Sequence, residues 1–201
     1  APKKAGTEKV HGSPLGAEEL AGAKQALGID YPAFEVPTHI LDAWRAAGTR
    51  SQNVRGEWEA RLGKSDKKAE FERRMAGKLP ADFDATFAAY KEKLVADKPK
   101  VATRKSSQMA LEVINKALPE TLAGSADLTH SNLTNTPETL PFQADNRLGR
   151  YMMYGIREHE MGAAMNGVAL HGGLIPYGGT FMVFTDYARP AIRLAALMEQ
   201  R

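Results

Sequence analysis

Residues 151–180 read YMMYGIREHEMGAAMNGVALHGGLIPYGGT, and the order of their apolar patterns decides the fold class. The apolar run at 151–154 predicts a strand over Tyr151–Ile156. Arg157–His171 then carries Met161, Met165 and Val168 on one stripe of a helix, with glycines that permit close packing, and Leu174–Thr180 returns to strand. Strand, helix and strand in direct succession make a parallel crossover unit. Its junction holds two acids, Glu158 and Glu160, in the first turn of the helix. The helix dipole and free N–H groups favour carboxylates there, so a cap charge is one reading. The surroundings, however, are apolar enough to bury the junction. A buried carboxylate has to be paired, protonated or met by a polar ligand, and Arg157 and His159 stand beside Glu158 as candidate partners. The carboxyl ends of parallel strands are also where open α/β sheets bind ligands.

Working outward, TLAGSADL (121–128) predicts a strand running into the polar loop THSNLTNTPET. Thr103–Leu118 predicts an amphipathic helix with Leu111, Ile114 and Leu118 on one face, and Ala188–Met198 a final helix. Pro190 has to fall in the first turn of that helix or kink it. Strands and helices alternating after residue 100 argue for a parallel α/β sheet with about three strands. So much apolar edge on so small a sheet implies an unfinished domain. DKPK (97–100) marks a polar break, before which the chain reads as helical and charge-rich from 51 to 97. Phe83, Phe87, Tyr90 and Leu94 form one stripe there. Thr38 is a candidate N-cap for a helix carrying Ile40, Leu41 and Trp44. YPAFEVP (31–37) reads as extended, Ala17–Leu27 as a helix stopped by Gly28, and the first 16 residues as loop.

The 27 basic and 24 acidic residues leave a net charge of only +3. They interleave, as in KSDKKAEFERRM (64–75), which reads as solvated helical face and not as a nucleic-acid footprint. The absence of cysteine excludes disulfide staples, Cys-ligated zinc and thiol catalysis. No apolar run is long enough for a membrane span and no secretory leader pattern opens the chain, so a cytoplasmic location is expected.

YGIREHEMGAAMNGVALHGGLIPYGGTFMVFTDYAR (154–189) resembles the start of the pyrimidine-binding domain of transketolases. HGSPLG (11–16), RRMAGKLPADF (73–83), TRKSSQ (103–108) and GSADLTHSNLT (124–134) match the same family in the same order. The resemblance implies the tail of a diphosphate-binding domain over 1–37 and a mostly helical interdomain linker over 38–98. Residues 99–201 would then be the first half of a parallel-sheet, thiamine-diphosphate-binding pyrimidine domain. The implied activity depends on thiamine diphosphate and Mg2+. It transfers a two-carbon ketol unit from a ketose phosphate to an aldose phosphate, in a homodimer whose active site lies at the subunit interface. Sugar phosphates are the expected partners, with neither nucleic acid nor membrane.

By the same resemblance Glu158 hydrogen-bonds the pyrimidine ring nitrogen of the cofactor, promoting loss of the thiazolium proton. Phe181 and Phe184 match aromatics packed on that ring, with Tyr187 close by. His11 matches a histidine near the diphosphate and the reacting carbon, assigned to catalysis and to cofactor and substrate binding. Arg104 and Ser131 match residues that hold the sugar phosphate, and Asp127 an aspartate of the substrate channel. No metal ligand is assigned within the chain, because the element that holds the metal is expected outside this segment; the segment alone is therefore expected to be inactive. Taken without the family, Phe181, Phe184 and Tyr187 step by three and read as an aromatic core cluster on one helical face. Glu160 departs from the family's small or apolar residue and is expected to point away from the site. Dihydroxyacetone or deoxyxylulose-phosphate synthase chemistry, or a non-catalytic dimerisation segment, are the alternatives.

Overall fold

The computed structural model describes residues 1–200 and divides into two compact units, Ala1–Gly63 and Lys64–Arg201. In the first, a 3-10 turn at Glu8–Val10 precedes α1 (Ala17–Ala26), α2 (Thr38–Thr49) and α3 (Gln52–Gly63). α1 ends as its sequence predicts. Gly28 takes φ +65, and the N–H groups of Gly28 and Ile29 return to the carbonyls of Gln25 and Lys24. Buried Glu19 accepts from the backbone N–H groups of Lys3 (3.0 Å) and Lys4 (3.3 Å), which fastens the start of the chain to this helix.

Two expectations for this unit need correction. Thr38 is the first residue of α2, behind Pro37, and makes no capping bond; the fixed φ of proline sets the helix entry instead. Residues 31–37 are not extended throughout, because Phe34 turns into the left-handed region at φ +64. α2 carries Ile40, Leu41 and Trp44 as read; Ile40 and Leu41 are half-buried and Trp44, one turn on along the same face, is exposed.

The second unit runs α4 (Lys68–Met75), α5 (Phe83–Asp97), α6 (Thr103–Ala117), β1 (Thr121–Ser125), α7 (Thr129–Asn132), β2 (Tyr151–Met153), α8 (Glu158–His171) and β3 (Ile175–Gly179). A 3-10 turn at Met182–Phe184 then leads into α9 (Thr185–Leu197). The sheet is parallel with the order β2-β1-β3, and Ala123 lies level with both Tyr151 and Tyr177. This is the predicted α/β class, a helical stretch followed by a small parallel sheet. Both strands after β1 reach their places by crossovers, and α8 carries the chain from one edge to the other.

The strands are shorter than predicted, for local reasons. Past β2, the Tyr154 N–H still reaches Ser125 O at 3.1 Å, but Gly155 at φ +67 then turns the chain. β1 stops at Ser125, whose hydroxyl donates to Gly179 O and accepts the Leu128 N–H and the Asn132 amide. Part of the expected polar loop after it is the single turn α7. Pro190 is the sixth residue of α9, beyond the first turn, so the carbonyl of Asp186 lacks its usual i+4 donor.

The stripe of α5 is as read: Phe83, Phe87, Tyr90 and Leu94 are half-buried, with the first two rings stacked at 6.0 Å. α8 and α9 meet through small residues. Ala188 and Ala191 are buried, and a Cβ on Gly162 would stand 3.0 Å from that of Ala191. The centre of the sheet is held by polar bonds as well. The Tyr151 hydroxyl joins Thr129 and Thr134, both at 2.8 Å, and Asn115 donates to Thr136 and Tyr177.

α4 is clamped to the sheet by charge. The Arg73 guanidinium bonds Glu70 and also buried Glu120, the latter at 2.8 Å, just ahead of β1. Glu70, gripped by Arg73 and Arg74, has its carboxyl lowered to about 2, so this grip persists to strongly acidic pH. Arg73→Met would strand the Glu120 carboxylate away from water, a defect that costs about 3 kcal/mol. Urea denaturation should show that loss, with Glu120→Gln in the same background recovering part of it.

A carboxylate and aromatic site at the carboxyl ends of the strands

The chain leaves each strand at its carboxyl end, and most of the predicted site residues follow these exits. Asp127 and Ser131 come after β1, Glu158 after β2, and Phe181, Phe184 and Tyr187 after β3. Arg104 sits in the first turn of α6. One turn later, Gln108 donates to Asn135 O in the loop that follows α7 (3.2 Å). The topology thus brings six of the predicted residues to segments that follow the strand ends in one unit. His11 lies in the other unit, exposed at the close of the first 3-10 turn, where its N–H caps Glu8 O.

Glu158 opens α8 and is 2% exposed. Its partners are not the neighbours named from sequence. Arg157 instead faces Glu160 at 3.8 Å, both side chains lying out in solvent, and His159 is exposed. Thr180 Oγ1 donates to Glu158 Oε1 at 2.8 Å, and the Tyr187 hydroxyl donates to Oε2. The same Tyr187 oxygen accepts the backbone N–H of Glu158 at 2.7 Å, satisfying one of the free amides of the helix start. Glu160 points away, as expected.

These bonds decide the charge state. Burial pushes the Glu158 carboxyl up, but the hydrogen bonds from Tyr187, Thr180 and its own amide outweigh that effect and hold it below the ordinary value of 4.5. Tyr187 moves the other way: its hydrogen bond to Glu158, then burial, raise its hydroxyl above 10.0, so it remains a donor across the neutral range. Burial, followed by the charge of Glu160, likewise raises Tyr154.

Phe181, Phe184 and Tyr187 do not share the face of one α-helix. The first two flank and close the 3-10 turn, in which positions three apart eclipse, and their rings stack at 6.1 Å with planes 11° apart. Both rings are partly exposed. Tyr187 belongs to α9 and turns to Glu158. Thr180, the residue sequence reasoning missed, follows the Gly178-Gly179 end of β3. A hydroxyl directly after a strand's carboxyl end was the one available signal. Asp127 is exposed at φ +62, and Ser131 is half-buried within α7.

Such a site suits a flat heteroaromatic group, with an aromatic face to pack on and an anionic acceptor to orient a ring nitrogen. Each Glu158 oxygen accepts one hydroxyl and retains a further lone pair. Among the described residues, no three His, Cys, Asp or Glu side chains gather where a metal ion could be held. A cavity of about 410 Å³ lies at the opposite end of the sheet, beside Glu120, Gly173 and Ile175, away from these residues.

Fold and site together define a parallel α/β domain with a buried carboxylate and a stacked aromatic pair at the carboxyl ends of its strands. The family described as transketolase, pyrimidine binding domain, matches residues 99–201, and that described as transketolase, thiamine diphosphate binding domain, matches residues 1–80. The chain belongs to the transketolase family. It is 53% identical to a transketolase of Cereibacter sphaeroides over 98% of its own length and 50% identical to the chromosomal transketolase of Cupriavidus necator over 100%. It spans 30% of the length of each. Its fold is similar to a transketolase from Leishmania mexicana, with TM-score 0.78 and 38% identity, covering 96% of this chain and 29% of that one. It is also similar to a Pichia stipitis transketolase solved with sedoheptulose-7-phosphate, with TM-score 0.76 and 36% identity over 94% of this chain and 29% of the other.

A carboxyl lowered by folding stabilises the fold above its unfolded value and loses that contribution as pH falls through its folded value. Glu158→Gln should therefore flatten the acid limb of stability below about pH 5. Urea midpoints measured across pH, with wild type losing more than the variant on acidification, check this.

Proposed function

We propose that this chain supplies the pyrimidine-side wall of a transketolase active site, in an enzyme that moves a two-carbon ketol unit from a ketose phosphate to an aldose phosphate. The observation that carries the reading is Glu158: a buried, ionised carboxylate at the carboxyl end of a parallel strand, beside a stacked aromatic pair. When bound, thiamine diphosphate supplies a nucleophilic carbon for the ketose carbonyl. The chain's own residues bind and orient. Glu158 holds a hydrogen bond to the pyrimidine ring nitrogen, and Phe181 and Phe184 give the ring a flat apolar face, with Tyr187 beside them. Arg104 offers the planar fork that suits a phosphate, and Ser131 a further donor. Asp127 borders the path of the sugar, and His11 serves the diphosphate and the reacting carbon.

Family membership supports the remaining assignments: a Mg2+ ion held by residues other than those described, a homodimer with its site between subunits, and a cytoplasmic location. The phosphorylated ketose named for the Pichia stipitis protein supports sugar phosphates as the substrate class. No helix among the described residues is long and apolar enough to cross a membrane. The low, interleaved charge speaks against a nucleic-acid partner.

In the complete enzyme, Glu158→Ala should lower turnover by about 10²–10⁴-fold, the range for loss of a positioned acid–base group. Steady-state transfer from a ketose phosphate to an aldose phosphate measures it. A variant turning over at near wild-type rates would refute the assignment.

A further inference from the structure

Tyr187 bonds Glu158 at both ends. Its hydroxyl accepts the Glu158 backbone N–H at 2.7 Å and donates to carboxylate Oε2, while Thr180 Oγ1 donates to Oε1 at 2.8 Å. A side chain tied at its own amide and at both oxygens has its rotamer fixed. The two donors also bracket residues 181–186, so the 3-10 turn carrying the stacked Phe181 and Phe184 and the start of α9 are pinned at each end to one carboxylate.

Resting on the reading of the site given above, we propose that Tyr187 is a positioning residue that acts through Glu158, with Thr180 as its counterpart, and that together they fix the carboxylate's rotamer. The tyrosine's contribution is thus its hydroxyl and not its ring. Phe181 and Phe184 offer faces without a polar handle, whereas the Tyr187 oxygen is committed twice to one residue. Thr180 reaches the same carboxylate from the end of β3, so two separate elements agree on one acceptor position.

The groups that face Glu158 are few. From β3 and α9 they are the hydroxyls of Thr180 and Tyr187. On α9, Asp186 and Arg189 flank Tyr187 and are exposed. On α8 and at its start, Arg157 turns to Glu160 at 3.8 Å and His159 is exposed. The carboxylate therefore owes its ionised state to hydroxyl donors and to its amide, not to a cation. Removing a donor from a buried carboxylate favours uptake of a proton.

The test uses the complete enzyme in its cofactor-free state. The protonated-carboxyl band of Glu158 is followed by difference infrared spectroscopy against pH and assigned by its loss in Glu158→Gln. Tyr187→Phe and Thr180→Val should each raise the midpoint by about one pH unit, the scale of one lost donor. Thr180→Ser should restore it. The pH profile of the thiamine diphosphate dissociation constant should move by the same amount. Unchanged midpoints in both Tyr187→Phe and Thr180→Val would overturn the inference, leaving Tyr187 a packing residue. If Tyr187→Phe fails to fold, the Thr180→Val and Thr180→Ser pair decides the question. The two readings fail separately: near-normal turnover of Glu158→Ala sinks the enzyme assignment, whereas an unmoved midpoint sinks only the positioning role.

Discussion

One buried carboxylate organises the carboxyl end of this sheet. Glu158 lies at the start of α8, and its two oxygens are taken by hydroxyls that arrive from the end of β3 and from α9. Without those donors the junction between β2 and α8 would bury a bare charge, at a cost of several kcal/mol. With them, it joins three consecutive elements at one point. Because both donors flank the Phe181–Phe184 turn, the geometry of the aromatic pair follows from the acid beneath it.

The sheet supports this arrangement with an unusually polar centre. Ser125 closes β1 by bonding the backbone of the β3 end and the side chain of α7, and the Tyr151 hydroxyl gathers Thr129 and Thr134. Buried polar groups of this kind specify one packing of the loops, since a slipped register would leave several of them unpaired. The exits of β1 and β3 are thereby held to one another, and the Tyr154 N–H ties the exit of β2 to Ser125 O, which is what a site assembled from three loops requires. Charges that do not serve the centre are kept out of it: Arg157 and Glu160 satisfy each other in solvent, beside the acid that they might otherwise have paired.

What the sequence made legible was periodic or local. The parallel crossover, the stripe Phe83, Phe87, Tyr90 and Leu94, and the stop at Gly28 each depend on spacing within a turn or two, and each is found. Glu158 was legible as a buried acid because strand and helix patterns met at it. Its partners were not, since Thr180 and Tyr187 lie 22 and 29 residues away and no pattern in a single sequence ranks them above Arg157, its immediate neighbour. The split of Phe181, Phe184 and Tyr187 between a 3-10 turn and an α-helix was also hidden, because a step of three fits either geometry. Of the two places read for Pro190, the first turn is not the one found, because α9 begins earlier than its apolar residues announce, with Thr185 and Asp186 in its first turn.

The charge state of Glu158 bears on how such an acid serves a ring nitrogen. A protonated carboxyl donates to a bare nitrogen, whereas a carboxylate only accepts, and so suits a nitrogen that already carries a proton. Burial alone would favour the first arrangement. Two hydroxyls and an amide reverse that preference, so Glu158 is set as an acceptor before any ring arrives. In the site proposed above, the hydroxyls of Thr180 and Tyr187 thus favour the acceptor form of the acid through their bonds to Glu158.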